Sequence, residues 1–153
     1  LLDQPLPDAQ LAAQREEIKE SHCGHGHDAM LTAMQRAQLY KDAFMARALA
    51  QAGSEVLLSA GRGHARNDRA VPHFLRRHGA QQVLSVAFVE VADERLSPDN
   101  YDVDAYDFVV FTPRVSDEDA CEAFRKQLEQ LHRPDPARPN AGPQAAVTHR
   151  ADL

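Results

Sequence analysis

His64 is the residue of this chain best placed to do chemistry. It stands in Gly61-Arg62-Gly63-His64, directly after the apolar run Val56 to Ala60. Such a run ending in glycine predicts a strand buried on both faces, as in parallel sheets. Ligands of open α/β sheets bind beyond the carboxyl ends of such strands. An imidazole placed there can ligate a metal, or accept or donate a proton. The two glycines let the backbone turn tightly and approach a ligand closely. A strand-to-helix turn whose histidine caps backbone groups would leave the same trace, and spacing alone does not choose between them. Arg62, Arg66 and Arg69 flank the histidine, and guanidinium groups suit a carboxylate or phosphate on a small ligand.

A second cluster is His22, Cys23, His25, His27 and Asp28. Its spacing fits no closed zinc site, and no second ligand pair follows at a zinc-finger distance. His25 and His27 read as a solvated loop before a helix cap, while His22 and Cys23 stay open as ligands. Tyr40, Tyr101 and Tyr106 each read as packing residues, although a phenolate can hold ferric haem. Met30, Met34 and Met45 read as core. Asp42, Asp99, Asp102, Asp104 and Asp107 show no spacing diagnostic of acid–base work. No nucleophile elbow or Ser-His-Asp order is present.

These residues need a frame. Asp8 to about Glu20 reads as a helix with a thin apolar stripe. The run Ala29 to Ala52 is the clearest helix. Met30, Met34, Ala37, Phe44 and Ala48 form its predicted buried face, Met45 and Leu49 widen it, and Gly53 stops it. A helix follows from about Asp68 to Gly79, with Pro72 in its first turn. Gln82 to Val91 and Tyr106 to Phe111 predict a second and a third strand. Ser116-Asp117-Glu118-Asp119 resembles a capping box that opens a last helix. Strand, helix, strand from Val56 to Val91 predicts a parallel crossover. Three strands make a thin sheet, which predicts that further strands lie N-terminal to this chain.

Composition narrows the classes. With 153 residues, one domain is the natural expectation, here 8–132, followed by a flexible Pro-rich tail over 133–153. A net charge of −6 argues against a nucleic-acid partner. No apolar run reaches the roughly 20 residues that span a bilayer. The two cysteines, Cys23 and Cys121, allow one disulfide or none.

Three segments together resemble the haem-binding-uptake, ChaN-like family of the Tiki and erythromycin-esterase-like group. They are Ser21-His22-Cys23-Gly24, Ala37-Gln38-Leu39-Tyr40-Lys41-Asp42-Ala43-Phe44-Met45-Ala46, and the stretch from Ala60 to Pro72. Lys41 stands where the family has Arg, Arg62 where it has Asn, and Ala70 where it has Gly. The resemblance covers about residues 16 to 112 and suggests a C-terminal portion of the family domain. It implies a three-layer α/β fold with a mainly parallel sheet and flanking helices, incomplete in this chain. It implies haem binding in bacterial iron uptake, with His64, Arg62, Arg66, Tyr40 and His22 at the haem and His64 on the metal. It further implies an exported, periplasmic or lipid-anchored protein, and a homodimer is open. The wider group contains hydrolases that pair a Gly-Glu-x-His element with a Gly-x-x-His element. Only the second, Gly61-Arg62-Gly63-His64, occurs here. A metal-dependent hydrolase and an incomplete non-enzymatic remnant are therefore the alternatives to haem binding.

Overall fold

A computed structural model describes residues 6–53 and 55–131. The predicted tail over 133–153 lies outside the described residues. Two compact units divide the chain at Asp117 and Glu118.

The first unit is built on three helices. Helix α1 spans Asp8–Ser21 and α2 spans Asp28–Ala52. Pro7 stands at the cap of α1, and the His27 side chain caps α2 by accepting from the Met30 amide. A helix start leaves its first amides unpaired, and either an oxygen or an imidazole nitrogen can serve them. Helix α3 spans Val71–Arg77, with Pro72 in its first turn, where a missing N–H costs nothing. Gly79 then takes a φ of 88°, a left-handed conformation that suits glycine.

The buried face of α2 differs from the predicted one. Leu31, Asp42, Ala43 and Ala46 point inward, with Leu39, Met45 and Leu49 beside them. Phe44 is 72% exposed, and Ala37 and Ala48 are exposed with it. The helix is apolar on nearly every side, so periodicity alone cannot choose the face. Packing chooses it: Ala43 and Ala46 are small enough to let α3 approach, and Val71 and Phe74 of α3 fill the space against them.

The sheet has two strands. Strand β1 spans Val86–Glu90, β2 spans Phe108–Thr112, and they pair in parallel with Val86 opposite Phe108 and Phe88 opposite Val110. This agrees with an α/β fold in general. The predicted first strand is corrected. Val56 to Ala60 is not assigned to any strand and forms no hydrogen bond among the described residues. Leu57 is 92% exposed rather than buried on two faces. The predicted crossover through α3 is therefore not formed. The parallel pair joins β1 to β2 instead, through short 3₁₀ turns at Pro98–Asn100 and Val103–Ala105.

Ala87 and Val89 of β1 are buried, while Val86, Phe88, Phe108 and Val110 are exposed on the opposite face. In the second unit, helix α4 spans Ala120–Leu131. Its first amides, on Cys121 and Glu122, donate to the Asp119 carboxylate, so the cap falls at Asp119 and not at Ser116. Among the described residues no helix is long and apolar enough to cross a membrane.

Candidate functional site

The Gly61-Arg62-Gly63-His64 segment forms a 3₁₀ turn over Arg62–Ala65. Neither Gly61 nor Gly63 takes a positive φ. A Cβ at either position would meet only ordinary van der Waals contacts, so neither backbone conformation nor space demands glycine there. Gly63 faces Glu17 of α1, and an added Cβ would come within 3.8 Å of that carboxylate. The turn is tied down on both sides. The Ser85 hydroxyl donates to the Ala65 carbonyl, and the Asn67 amide donates to the Ala105 carbonyl at 2.7 Å.

The centre of the site is a carboxylate–imidazole pair. His64 Nδ1 lies 2.6 Å from Asp42 Oδ1. The Asp42 side chain is 1% exposed and that of His64 is 22% exposed. A separation of 2.6 Å between these two atoms requires a proton between them. Burial pushes the Asp42 carboxyl up from 3.8 to about 6, against the opposing hydrogen bond and charge of His64 and the charge of Lys41. The second oxygen of Asp42 is buried and has no hydrogen-bond partner among the described residues. Gln38, one turn before Asp42, places its amide 2.9 Å from the same Nδ1. Residues four apart on a helix share a face, and so both side chains reach His64 from one side of α2.

An ion-pair network holds the rest of the loop. Asp68 receives Nε and one terminal nitrogen of Arg66, each at 3.0 Å, and also Arg69 at 3.0 Å. The other end of Arg66 reaches Asp102 at 2.8 Å, and Arg69 reaches Glu17 of α1 at 2.5 Å. Both arginines are buried. Buried guanidinium groups need such partners on every side, since an unpaired buried charge is costly. These partners hold Arg66 above its ordinary value despite burial, and they hold the Asp68 carboxyl below its own.

The predicted site residues therefore separate. His64 is in the site. Arg62 is exposed and has no carboxylate partner among the described residues. Arg66 has its donors committed to Asp68 and Asp102. Tyr40 is 63% exposed on α2 and lies two residues from both Gln38 and Asp42. Two residues correspond to about 200° around a helix, so it faces away from His64. His22 ends α1, where its Nδ1 meets the Ile18 carbonyl at 2.6 Å. Neither cysteine is a free thiol, so Cys23 offers no thiolate. Among the described residues no three metal-binding side chains converge.

Four residues join the site that composition and spacing did not assign to it. Asp42 and Gln38 stand four apart on α2, a spacing that puts them on one face but does not point to His64. Glu17 gave no signal, because its partner is distant in sequence. Tyr106 is the tyrosine beside the loop, with its hydroxyl 3.4 Å from the Arg62 carbonyl. Burial raises its phenol, with the nearby charges of Arg66 and Arg62 opposing. It borders a small cavity of about 10 Å³ that Arg62, Tyr101 and Asp102 also line.

The arrangement is a histidine whose Nδ1 is occupied by a buried carboxylate, leaving Nε2 as its presenting atom. Metal-ligating histidines are held in this way, and so are histidines that act as bases. Residues 2–75 match the family described as haem-binding uptake, Tiki superfamily, ChaN. The match spans the N-terminal portion of the chain, just under half of its length. That portion carries α1, α2, the His64 turn and most of α3. The match corrects the expected extent of about 16 to 112 and the expected C-terminal portion, since it stops before either strand. No curated protein and no solved structure matches the chain.

Proposed function

We propose that the chain binds haem, with His64 as the axial ligand. The observation that carries this reading is the Asp42–His64 pair inside the stretch that matches a haem-binding-uptake family. The donor set suits haem better than a bare cation. A bare cation needs three or four protein donors, whereas haem brings its own equatorial nitrogens and asks for one axial imidazole. A presented imidazole, where no three metal-binding side chains converge among the described residues, is compatible with that demand. When bound, the haem supplies the iron and its redox chemistry. The protein's part is to hold the ring through Asp42 and to meet a propionate with Arg62.

Arg66, in this reading, acts by fixing the loop. Tyr106 replaces Tyr40 as the tyrosine beside the site. The cavity beside the turn, about 10 Å³, does not enclose a macrocycle, so haem would have to be held against an open face. The bare apolar sheet and the unpaired Val56 to Ala60 segment support a three-layer domain completed by elements beyond those described. Export, a lipid anchor outside this chain and a homodimer belong to the same reading.

The test is a haemin titration followed by absorbance, with wild type and His64→Ala. A saturable Soret shift that His64→Ala abolishes supports the reading. A folded wild-type protein without a shift overturns it. The carboxylate–imidazole pair also favours a second reading, a hydrolase in which His64 is a general base. Ester or peptide hydrolysis by wild type, lost in both His64→Ala and Asp42→Asn, would support that alternative.

A further inference from the structure

We infer that the free edge of β2 is a self-association surface, on which β2 of a second copy of this chain pairs antiparallel about a two-fold axis at Val110. This dimer does not depend on haem.

The backbone carries the argument. The Phe108 amide donates to the Ser85 carbonyl, and the Val91 amide donates to the Thr112 carbonyl. With Val86 opposite Phe108 and Glu90 opposite Thr112, this alternation commits the backbone groups of Phe108, Val110 and Thr112 to β1. Those of Val109 and Phe111 therefore point to the other side of the strand. No further strand pairs there among the described residues. Edge strands are commonly blunted by a charged side chain, a proline or a bulge. Phe108-Val109-Val110-Phe111-Thr112 holds no charge and no proline, and its register against β1 is unbroken. The outer residues of β1, by contrast, end in the exposed Glu90.

A second copy fits this edge in register and in charge. Antiparallel pairing about Val110 sets Val109 opposite Phe111 of the second copy, and Phe111 opposite its Val109. These are the residues with spare backbone groups, so each pair exchanges both of its hydrogen bonds. The two Val110 residues then meet as a non-hydrogen-bonded pair, the kind whose side chains lie closest. Phe108 faces Thr112 on the same side of the sheet. Charge selects the direction. Asp107 precedes β2 and Arg114 follows it, both exposed. Antiparallel pairing brings the Asp107 end of one strand to the Arg114 end of the other. Parallel pairing would instead set like charges against each other at both ends. The outward residues Val86, Phe88, Phe108 and Val110 of the two copies become one continuous apolar face. A contact along a strand of 5 residues is small, so the association belongs to the weak, concentration-dependent class.

The test combines cross-linking with sedimentation on the full chain. Val110→Cys places two thiols across the axis with Cα atoms about 4.5 Å apart, within the span of a disulfide. Phe108→Cys lies roughly 13 Å from its copy along the strand and cannot bridge. Phe88→Cys reports on a different arrangement, in which two sheets stack through their outward faces. Neither native cysteine is a free thiol, so neither competes. Mild oxidation should yield a covalent dimer from Val110→Cys and from neither other variant. Sedimentation equilibrium of wild type should show monomer and dimer in exchange. Val110→Lys sets two like charges face to face at an exposed position and should weaken the dimer about 10-fold or more. Val109→Pro should weaken it too. It removes an amide that β1 does not use, and proline is tolerated on an edge strand where its missing N–H would face outward.

A wild type that stays monomeric up to millimolar concentration overturns the inference. So does a dimer that both Val110→Lys and Val109→Pro leave unchanged, or one that is trapped through Phe88→Cys or Phe108→Cys instead of Val110→Cys. The cross-link pattern decides whether or not Val110→Lys folds.

Discussion

The inward face of α2 and the outward face of the sheet are made of similar residue types, yet one is closed and the other is open. On α2, Ala43 and Ala46 meet Val71 and Phe74 of α3, and all four are buried. On the sheet, Val86, Phe88, Phe108 and Val110 form an equally apolar patch that no described helix covers. Parallel strands normally lie between two layers. The difference shows that apolar composition marks a surface as one to be covered without saying what covers it. It also shows where the candidate site gets its rigidity. His64 hangs from the closed region, through Asp42 and the Arg66–Asp68–Arg69–Glu17 network, and its turn is tied to the strand side through Ser85–Ala65, Asn67–Ala105 and Arg66–Asp102.

The sharpest test of this contrast compares two phenylalanines. Phe74→Ala in the closed region should cost about 3–5 kcal/mol, measured by urea unfolding. Phe88→Ser on the open face is expected to change stability by at most about 0.5 kcal/mol while lowering the binding of an apolar dye. Equal losses at both positions would mean that the sheet face is covered after all.

A slightly smaller effect is expected from Asp42→Asn, and its sign depends on pH. Burial raises the Asp42 carboxyl from 3.8 to about 6 in the folded protein, which is worth about 3 kcal/mol at most. The folded state therefore binds this proton more tightly than the unfolded state. Wild type loses stability from this group as pH rises from about 4 through 6, and the loss is complete above that. Asparagine has no such cost. The stability of Asp42→Asn relative to wild type should rise across this window and be largest near pH 7. Melting temperatures of the two proteins at several pH values check it, and a flat difference would place the carboxylate in a less buried setting.

Glu17→Gln comes next. Arg69 keeps Asp68 but loses the charge of a partner that is itself about a third exposed. The expected loss is about 2 kcal/mol, with a weaker hold of α1 on the His64 turn. Chemical denaturation measures the first. Proteolysis within Arg62–Ala65 measures the second.

Much of this frame was legible in the sequence. The positions of α1 and α2, the proline at the start of α3, and a strand around Val86 to Glu90 follow from caps, breakers and periodicity. His64 was legible because glycine, arginine and histidine are crowded into four residues after an apolar run. Asp42 was not, since its meaning depends on a histidine 22 positions away in the chain, which periodicity along α2 cannot reveal. The buried side of α2 was misread because alanine, methionine and phenylalanine surround the helix, and only contact with α3 breaks the tie. Val56 to Leu58 reads as a core strand by composition. Burial, though, is a property of neighbours, and the fold leaves Leu57 92% exposed.

That unpaired segment has a consequence for how the backbone meets solvent. Amide protons are protected from exchange with heavy water by hydrogen bonds that must open first. Val56 to Ala60 has none to open among the described residues. Its amides should take up deuterium within the first seconds, while those of α3, a few residues further along, wait for the helix to loosen. The chain would then carry a sharp temporal boundary just before His64: a fast-exchanging ribbon leading into a slow-exchanging turn.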